Sequence, residues 1–189
     1  MKNLENLKGF KESMEFNNET EIVEAVAENY LNSPEIDLTA EYEALGRYNE
    51  RRFEDIPIPV IFTENDPYED AEALFEGIEE DEELYIFSGG SSPEGMTEEQ
   101  NLKGRAVHDY FGHYMNQCDF SIEGEFTKWF NQKNDVPGGT EDLLFSEVVG
   151  QVALVHYLDG GFESPDYEQR SVLIDDDIKD GVVDYFLDN

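Results

Sequence analysis

The stretch from Arg105 to Gln117, RAVHDYFGHYMNQ, decides how the rest of the chain is interpreted. It contains two of the three histidines, His108 and His113, together with Asp109. On an α-helix each residue turns about 100°, so His108 lies on one edge of an apolar stripe, and Asp109 and His113 lie on the other. The residues of that stripe are Ala106, Val107, Tyr110, Phe111 and Tyr114. Imidazoles and carboxylates are the donors that a divalent cation takes from protein, so His108, Asp109 and His113 are candidate metal ligands.

A structural role for the same side chains is the alternative. A histidine at the margin of an apolar stripe commonly packs with one ring nitrogen hydrogen-bonded and binds no ion. Arg105 precedes Asp109 by four residues, the spacing at which the two side chains can pair on a helix. Arg105 is therefore either the ion-pair partner of Asp109 or a residue that supports the ligands from outside the ligand set.

A second polar insertion occurs between Leu144 and Leu158, LFSEVVGQVALVHYL, where Glu147 and Gln151 fall on the apolar face of a helix. Burying an ionised carboxylate is very unfavourable unless it is paired, coordinated or protonated. The chain has only 12 Lys plus Arg, so basic partners are few. A metal shared with the histidine helix would satisfy Glu147, and Gln151 would orient a ligand from outside the ligand set.

Glu125 lies between these two helices, in FSIEGEFTKWF, directly after Gly124. It is a candidate third or fourth ligand, and in an enzyme it is the carboxylate expected to accept a proton from a water on the metal. The alternative is a carboxylate in the first turn of a helix that interacts only with the helix dipole.

The net charge of −34, from 46 acidic and 12 basic residues, limits the classes of function. The acids are spread from Glu5 to Asp188, which excludes an acidic tail, but between Asn101 and Asn134 four acids balance four bases. The excess charge therefore surrounds the histidine segment, as expected for a salt-adapted acidic coat, with a DNA-mimic inhibitor as the alternative. Direct nucleic-acid binding needs clustered Lys and Arg and is not expected.

Other features of the composition concern localisation. No apolar run is long enough to cross a bilayer, and the start MKNLENLKGF lacks an apolar signal segment. We expect no membrane association and no secretion. The single cysteine, Cys118, excludes an internal disulfide and disfavours a thiolate-rich zinc site.

The periodicity predicts an α-rich α+β fold in a single domain over residues 1–189, with a small two- to three-stranded antiparallel sheet. This domain divides into N-terminal helices (1–55), a motif-bearing core (56–175) and a closing helix (176–189). Besides the three motif helices, helices are predicted at Glu19–Leu31, Leu38–Phe53 with Thr39 as N-cap, Ala71–Ile78 and Asp177–Leu187. Strands are predicted at Ile56–Phe62, Leu84–Phe87 and Glu168–Ile174, and Ser88–Glu99 as a mobile flap.

The motifs HDYFGH, FSIEGE, SEVVGQ and EQRSVLI, in this order, resemble a family of uncharacterised tailed-virus proteins. The likeness covers about Glu64 to Ile174 and departs from the family pattern at His156, where an amide is expected, and at Arg170, where a lysine is expected. It implies a viral origin and a shared site without naming a reaction. The matching site positions are His108, Asp109, His113, Glu125, Glu147 and Gln151.

Two well-known metal-binding motifs match this sequence less well than the tailed-virus family does. The His108–Asp109 doublet is similar to that of HD-domain phosphohydrolases, but those enzymes need an earlier histidine and none precedes His108. The zinc-peptidase pattern HExxH is absent, since His108 and His113 are five residues apart.

The leading hypothesis is a metal-dependent hydrolase of a salt-adapted virus, with a phosphate ester as candidate substrate. A divalent ion (Zn, Mn or Ni) is bound by His108, Asp109, His113 and Glu147. The alternatives are a non-catalytic virion structural or host-interaction protein with a buried His/Asp/Glu network, and the acidic DNA mimic. The expected partner is an unknown small molecule or a virion protein.

Overall fold

The structure is a computed structural model that describes residues 13–188. Helices form most of this part of the chain, as predicted. The α-helices are α1 (Glu19–Asn32), α2 (Thr39–Phe53), α3 (Ala71–Asp81), α4 (Glu98–Val107), α5 (Ile122–Gln132), α6 (Glu141–Phe145), α7 (Gln151–Tyr157) and α8 (Asp176–Asp188). A first π-helix, His108–Tyr114, continues α4, and a second π-helix, Ser146–Gly150, joins α6 to α7. Gly161–Glu163 form a short 3-10 turn.

Polar side chains fix where several helices begin. The side chain of Asn18 accepts a hydrogen bond from Glu21 N at the start of α1, and Ser121 accepts one from Gly124 N at the start of α5. Thr97 and Gln100 form a reciprocal capping box that starts α4. The predicted cap Thr39 is instead the first residue of α2, and its N–H donates to the side chain of Asp37.

The sheet has two strands, β1 (Val60–Thr63) and β2 (Leu84–Phe87), which pair in parallel with Val60 opposite Leu84. The prediction of an antiparallel sheet is wrong. Antiparallel neighbours can be joined by a tight turn, whereas here α3 lies between the strands and carries the chain back to the end of the sheet at which β1 begins, so that β2 runs in the same direction. The described residues contain no third strand at Glu168–Ile174, because Ile174 N donates to the Ser146 hydroxyl instead of to a strand.

Two apolar clusters meet at the first π-helix. The larger cluster is formed mainly by α1, α2, α5, the second π-helix, α7 and α8. The smaller one packs α3 and β2 against Ala106 and Tyr110. Val107 belongs to the larger cluster, and Phe111 packs against both. The histidine segment therefore lies at the junction of the two clusters, where polar side chains are shielded from solvent on several sides.

None of the helices found between residues 13 and 188 is both long and apolar enough to span a bilayer.

Candidate metal centre

The first π-helix determines which side chains of the histidine segment meet. On a regular α-helix, side chains five residues apart point about 140° away from each other. A π-helix forms its hydrogen bonds between residues five apart, so side chains with that separation lie above one another. His108 and His113 have this spacing and meet, with their Nε2 atoms 2.8 Å apart. The helical spacing of four residues predicted that Asp109 would lie next to His113. In the structure, His108 lies next to His113 instead.

Glu125 completes a three-residue cluster with these two histidines. Its Oε1 lies 3.3 Å from His113 Nε2 and 3.6 Å from His108 Nε2. Among the described residues, these three form the group of histidine, cysteine and acidic side chains with donor atoms close enough to share one metal ion. His113 is fully buried, Glu125 is 3% exposed and the side chain of His108 is 28% exposed, so solvent reaches the cluster from the side of His108.

The size of this triangle suits a tetrahedral ion. A circle through the three donor atoms has a radius of about 1.9 Å, so an ion about 2.05 Å from each atom would lie about 0.8 Å out of their plane. In a regular tetrahedral site with the same bond lengths, that height is about 0.7 Å. The donors are therefore spaced for an ion of this size without a change in the backbone.

The orientation of His113 also suits a metal ligand. Its Nδ1 lies 3.1 Å from the carbonyl oxygen of Cys118 and donates a hydrogen bond to it. A proton held on Nδ1 leaves the lone pair of Nε2 facing His108 and Glu125. A backbone carbonyl commonly fixes the tautomer of metal-binding histidines in this way.

Glu125 has an unsatisfied oxygen. Its Oε2 is buried and has no hydrogen-bond partner among the described residues. An unpartnered buried carboxylate oxygen is costly, and a cation bound by the same carboxylate is one means of compensating for it.

Two glycines shape the packing around this contact: Gly112 lets α5 approach the first π-helix, and Gly124 lets the turn before α5 close tightly. A Cβ on Gly112 would lie 2.5 Å from Cγ of Lys128 on α5. A Cβ on Gly124 would overlap the backbone oxygen of Asp119 in the turn that precedes α5. These are the glycines of the FGH and GE motifs, so their positions are explained by the packing that brings Glu125 to the histidines.

The three candidate ligands have strongly perturbed pKa values. Burial lowers the pKa of His108 to about 4, so this imidazole is neutral. Burial also opposes a charge on His113, but its hydrogen bonds to Cys118 and Glu125 and the charge of Glu125 raise its pKa to about 10. Burial opposes ionisation of Glu125 as well, but the charges and hydrogen bonds of both histidines hold its pKa well below its usual range. In the absence of an ion, a proton on His113 therefore supplies the positive charge that Glu125 requires.

Lys128 is a buried cation near the cluster that the sequence analysis did not identify. Burial lowers its pKa to about 8, against the charges of Glu125, Asp109 and Glu147, which raise it. It lies three residues after Glu125 on α5, on the same side of the helix, and this spacing was a signal in the sequence. Its ammonium group supplies positive charge for these carboxylates, in addition to any charge that a metal would bring.

Asp109 lies outside the three-residue cluster. Burial raises its pKa to about 7, and the charge of His113 opposes this shift. Arg105, its expected ion-pair partner, donates from Nη1 to the backbone oxygens of Phe87 and Gly89, at 2.9 and 2.6 Å. Arg105 thereby fixes the start of the predicted flap, Ser88–Glu99. The side-chain amide of Asn101 also donates a hydrogen bond to the backbone oxygen of Ser91 in this segment.

Glu147 forms a separate hydrogen-bond network and does not join the cluster. Its Oε1 accepts from the Tyr42 hydroxyl at 2.6 Å, and its Oε2 accepts from the side-chain amides of Gln151 and Gln169, at 2.6 and 3.0 Å. Burial nevertheless raises its pKa to about 7. Gln151 therefore supports Glu147 and not a ligand of the cluster, and the proposed ligand set changes from His108, Asp109, His113 and Glu147 to His108, His113 and Glu125.

The third histidine lies outside the cluster but contacts Phe120, whose ring packs edge-on against His113. His156 is exposed, and its Nε2 lies 3.3 Å from the backbone oxygen of Phe120.

The chain matches no protein-family model, no curated protein and no solved structure. The donor set itself is of a general type. Two imidazoles and one carboxylate, with the remaining coordination position open, form the ligand set of several zinc hydrolases.

Proposed function

We propose that this protein is a metal-dependent hydrolase whose divalent ion is bound by His108, His113 and Glu125. The observation that carries the proposal is the convergence of three donor atoms, two of them on buried side chains, at spacings that suit a tetrahedral ion. The hydrogen bond from His113 Nδ1 to the Cys118 oxygen and the unpartnered Glu125 Oε2 point the same way.

The chemistry follows from the donor set. His108, His113 and Glu125 would hold a Zn, Mn or Ni ion, which would supply Lewis-acid chemistry: a more acidic water and a polarised substrate oxygen. The partly exposed side of His108 supplies a route for solvent and substrate. Because Glu125 is needed as a ligand, the proton acceptor first expected at Glu125 would be another carboxylate, and Asp109, whose pKa burial raises to about 7, is the candidate.

A phosphate ester remains the proposed substrate class. A chain with a net charge of −34 repels anions, but the segment from Asn101 to Asn134 is balanced in charge and Lys128 adds a cation beside the cluster. These positive groups would offset the repulsion at the site itself. A viral origin, a salt-adapted surface and a place in the host cytoplasm or the virion are part of the same proposal, and they rest on the motif resemblance and the composition.

The second candidate is a structural role in a virion or host-interaction protein. It is favoured by the fact that a proton on His113 can take the position of the ion and leave a paired His113–Glu125 contact. In this case the cluster would fix α5 against the first π-helix without catalysis.

The deciding experiment is elemental analysis of untagged protein purified without added metal, followed by titration of chelated protein with Zn²⁺, Mn²⁺ and Ni²⁺. A hydrolase predicts about one tightly bound ion per chain and metal-dependent cleavage of bis-para-nitrophenyl phosphate or para-nitrophenyl phosphate. The control is His156→Ala, which removes a histidine outside the cluster and should leave both results unchanged. A chain that takes up no ion refutes the proposal in favour of the structural role, and an ion without cleavage of either ester refutes the substrate class.

A further inference from the structure

In the part of the chain that the structure describes, the two-stranded sheet has one edge without hydrogen-bond partners. In the parallel register, Leu84 N donates to the Pro59 oxygen and Ser88 N donates to the Thr63 oxygen. This alternation directs the backbone groups of Ile61 towards β2 and those of Val60 and Phe62 away from it. Within residues 13–188, no hydrogen bond is formed by the N–H or C=O of Val60 or Phe62.

The opposite edge of the sheet, on β2, is covered. The hydroxyl of Tyr68 accepts a hydrogen bond from Tyr85 N, and Arg105 donates to the Phe87 oxygen. Within residues 13–188, the outward backbone groups of β2 are therefore satisfied and those of β1 are left unpaired. An unpaired edge is a template for strand addition unless it is blocked by charge, a bulge or a covering element.

The side chains of β1 are also less covered than those of β2. Leu84 and Ile86 on β2 are buried, whereas Ile61 is 39% exposed and Phe62 is 43% exposed. At the N-terminal end of β1 lies a cleft of about 570 Å³, with Tyr110 and Tyr114 on one wall. The other lining residues are Pro57, Ile58, Pro59, Ile78, Glu79 and Glu82. The edge and the cleft together offer apolar and aromatic surface beside carboxylates.

The charge of this region indicates what can bind there. From Phe53 to Leu102, which includes both strands and α3, the chain has 16 acidic residues and no lysine, arginine or histidine. A second copy of the same chain would bring an equally negative surface to the edge and would be repelled. A basic segment would be attracted, and its cationic side chains could contact the carboxylates and the tyrosine rings of the cleft.

We propose that the outer edge of β1 binds an extended basic segment of a partner protein as an added strand. The backbone groups of Val60 and Phe62 supply the main-chain hydrogen bonds, and the exposed side chains of Ile61 and Phe62 pack against the partner. Glu79 and Glu82 hold one basic side chain of the partner in the adjoining cleft. The edge belongs to the β1–α3–β2 unit, and the adjoining cleft also includes Tyr110 and Tyr114 of the first π-helix. None of the candidate ligands His108, His113 and Glu125 lines this surface, so the proposal does not depend on metal binding.

The test uses a ten-residue peptide of alternating valine and lysine as the probe, with the full chain at 0.15 M salt. We expect saturable binding by fluorescence anisotropy and slower hydrogen exchange at the amides of Val60 and Phe62 in the complex. Two control peptides should not bind: one with glutamate in place of lysine, and one with the same charge but prolines in the middle, which cannot add as a strand.

Two variants separate strand addition from charge attraction. Phe62→Pro removes an N–H that points away from β2, so β1 keeps its bonds to β2 while the added strand loses one, and we expect at least about tenfold weaker binding. The paired change Glu79→Lys and Glu82→Lys should weaken binding similarly, whereas Glu163→Lys, on an exposed remote turn, should have a smaller effect. Melting temperatures of the variants confirm that they fold.

Four results would overturn the proposal. Equal binding of the proline-containing peptide, or unchanged affinity in folded Phe62→Pro, would mean attraction by charge alone. Exchange protection at Val60 and Phe62 in the free monomer would mean that the edge is covered by the chain itself, and a dimer in sedimentation would assign the edge to a second copy. If Phe62→Pro does not fold, hydrogen exchange at the amides of Val60 and Phe62 in the unmodified chain, measured with and without the peptide, still tests the proposal.

Discussion

His108 and His113 stand one above the other because a π-helix separates them by its hydrogen-bond spacing, and their Nε2 atoms are 2.8 Å apart. An α-helix with the same sequence would direct these imidazoles to different sides. π-helical segments are rare and frequently occur at functional sites. Here the second one, Ser146–Gly150, carries Glu147, so both polar insertions of the sequence lie on such segments.

The first prediction concerns the ligands. His113→Ala should weaken binding of Zn²⁺ by at least about 100-fold, because it removes a ligand and not only a supporting group. His156→Ala should leave the affinity unchanged. Titration with a competing chelator gives both values, and equal affinities for the two variants would contradict the assigned ligand set.

The second prediction concerns pH. The pKa of His113 is raised to about 10 and that of His108 is lowered to about 4, so at pH 7 an ion displaces about one proton, from His113. Binding should therefore weaken about tenfold for each pH unit from 8 down to 6. Calorimetry in two buffers with different ionisation enthalpies measures the proton count. Release of no proton would mean that His113 is neutral before the ion binds.

Without an ion, the same proton links His113 to stability. A histidine whose pKa is raised by folding contributes stability below its unfolded pKa of about 6.5 and loses it as the pH rises through about 10. Chelated protein should thus become less stable from pH 7 to 10 relative to His113→Ala. Urea unfolding of both proteins over this range is the measurement.

The third prediction concerns the close approach of α5. Gly112→Ala should destabilise the fold by about 1–3 kcal/mol, because the new methyl group overlaps Cγ of Lys128, and it should also weaken metal binding by moving Glu125. Gly138→Ala is the matched control, since a Cβ there meets no atom within 4 Å. Denaturant melts of the two variants test this. Similar stabilities would show that Lys128 moves aside freely.

The fourth prediction concerns Glu147. Folding raises the pKa of Glu147 from 4.5 to about 7, so the folded state takes up a proton at a higher pH than the unfolded state does. The free energy of unfolding therefore rises as the pH falls from about 7 to 4.5. Glu147→Gln removes this contribution, so wild type should gain roughly 2–3 kcal/mol over the variant between pH 8 and 4.5. Denaturant unfolding across this range measures the difference, and parallel curves would mean that Glu147 stays ionised throughout.

Metal occupancy of the same variant separates the two polar networks. Glu147→Gln and Glu147→Leu should both retain the full ion content, because Glu147 contacts Tyr42, Gln151 and Gln169 and not the cluster. Loss of the ion in folded Glu147→Leu would return Glu147 to the ligand set.

The fifth prediction concerns salt. Repulsion among 46 acidic residues is screened over about 10 Å at 0.1 M salt and about 3 Å at 1 M, so the melting temperature should rise between 0.1 and 2 M KCl. Thermal melts across this range test the salt-adapted interpretation. A flat or falling melting temperature would remove it.

Local sequence determined most of the helices and one strand. The predicted helix at Glu19–Leu31 is α1, and Leu84–Phe87 is β2 with the predicted bounds. Apolar periodicity and polar capping residues act over a few neighbouring positions, so these elements are decided by the residues that form them. The same reasoning singled out His108, Asp109 and His113 at the margins of one apolar stripe and Glu147 and Gln151 within another, and it named Glu125 from its place between the two helices.

The parallel pairing of the strands and the composition of the cluster were decided only by the tertiary structure. α3 returns the chain to the end of the sheet at which β1 begins, so β2 runs parallel to β1. No local pattern in β1 or β2 reveals this. The π-helical spacing of the histidines breaks the 3.6-residue period on which the sequence interpretation rested, and Gly112 lets α5 bring Glu125 to them. Glu147 required a partner, as its burial implied, but packing supplied three hydrogen-bond donors in place of a metal. A buried charge can be satisfied by an ion, a proton or hydrogen bonds, and only the neighbours that the fold brings together select among them.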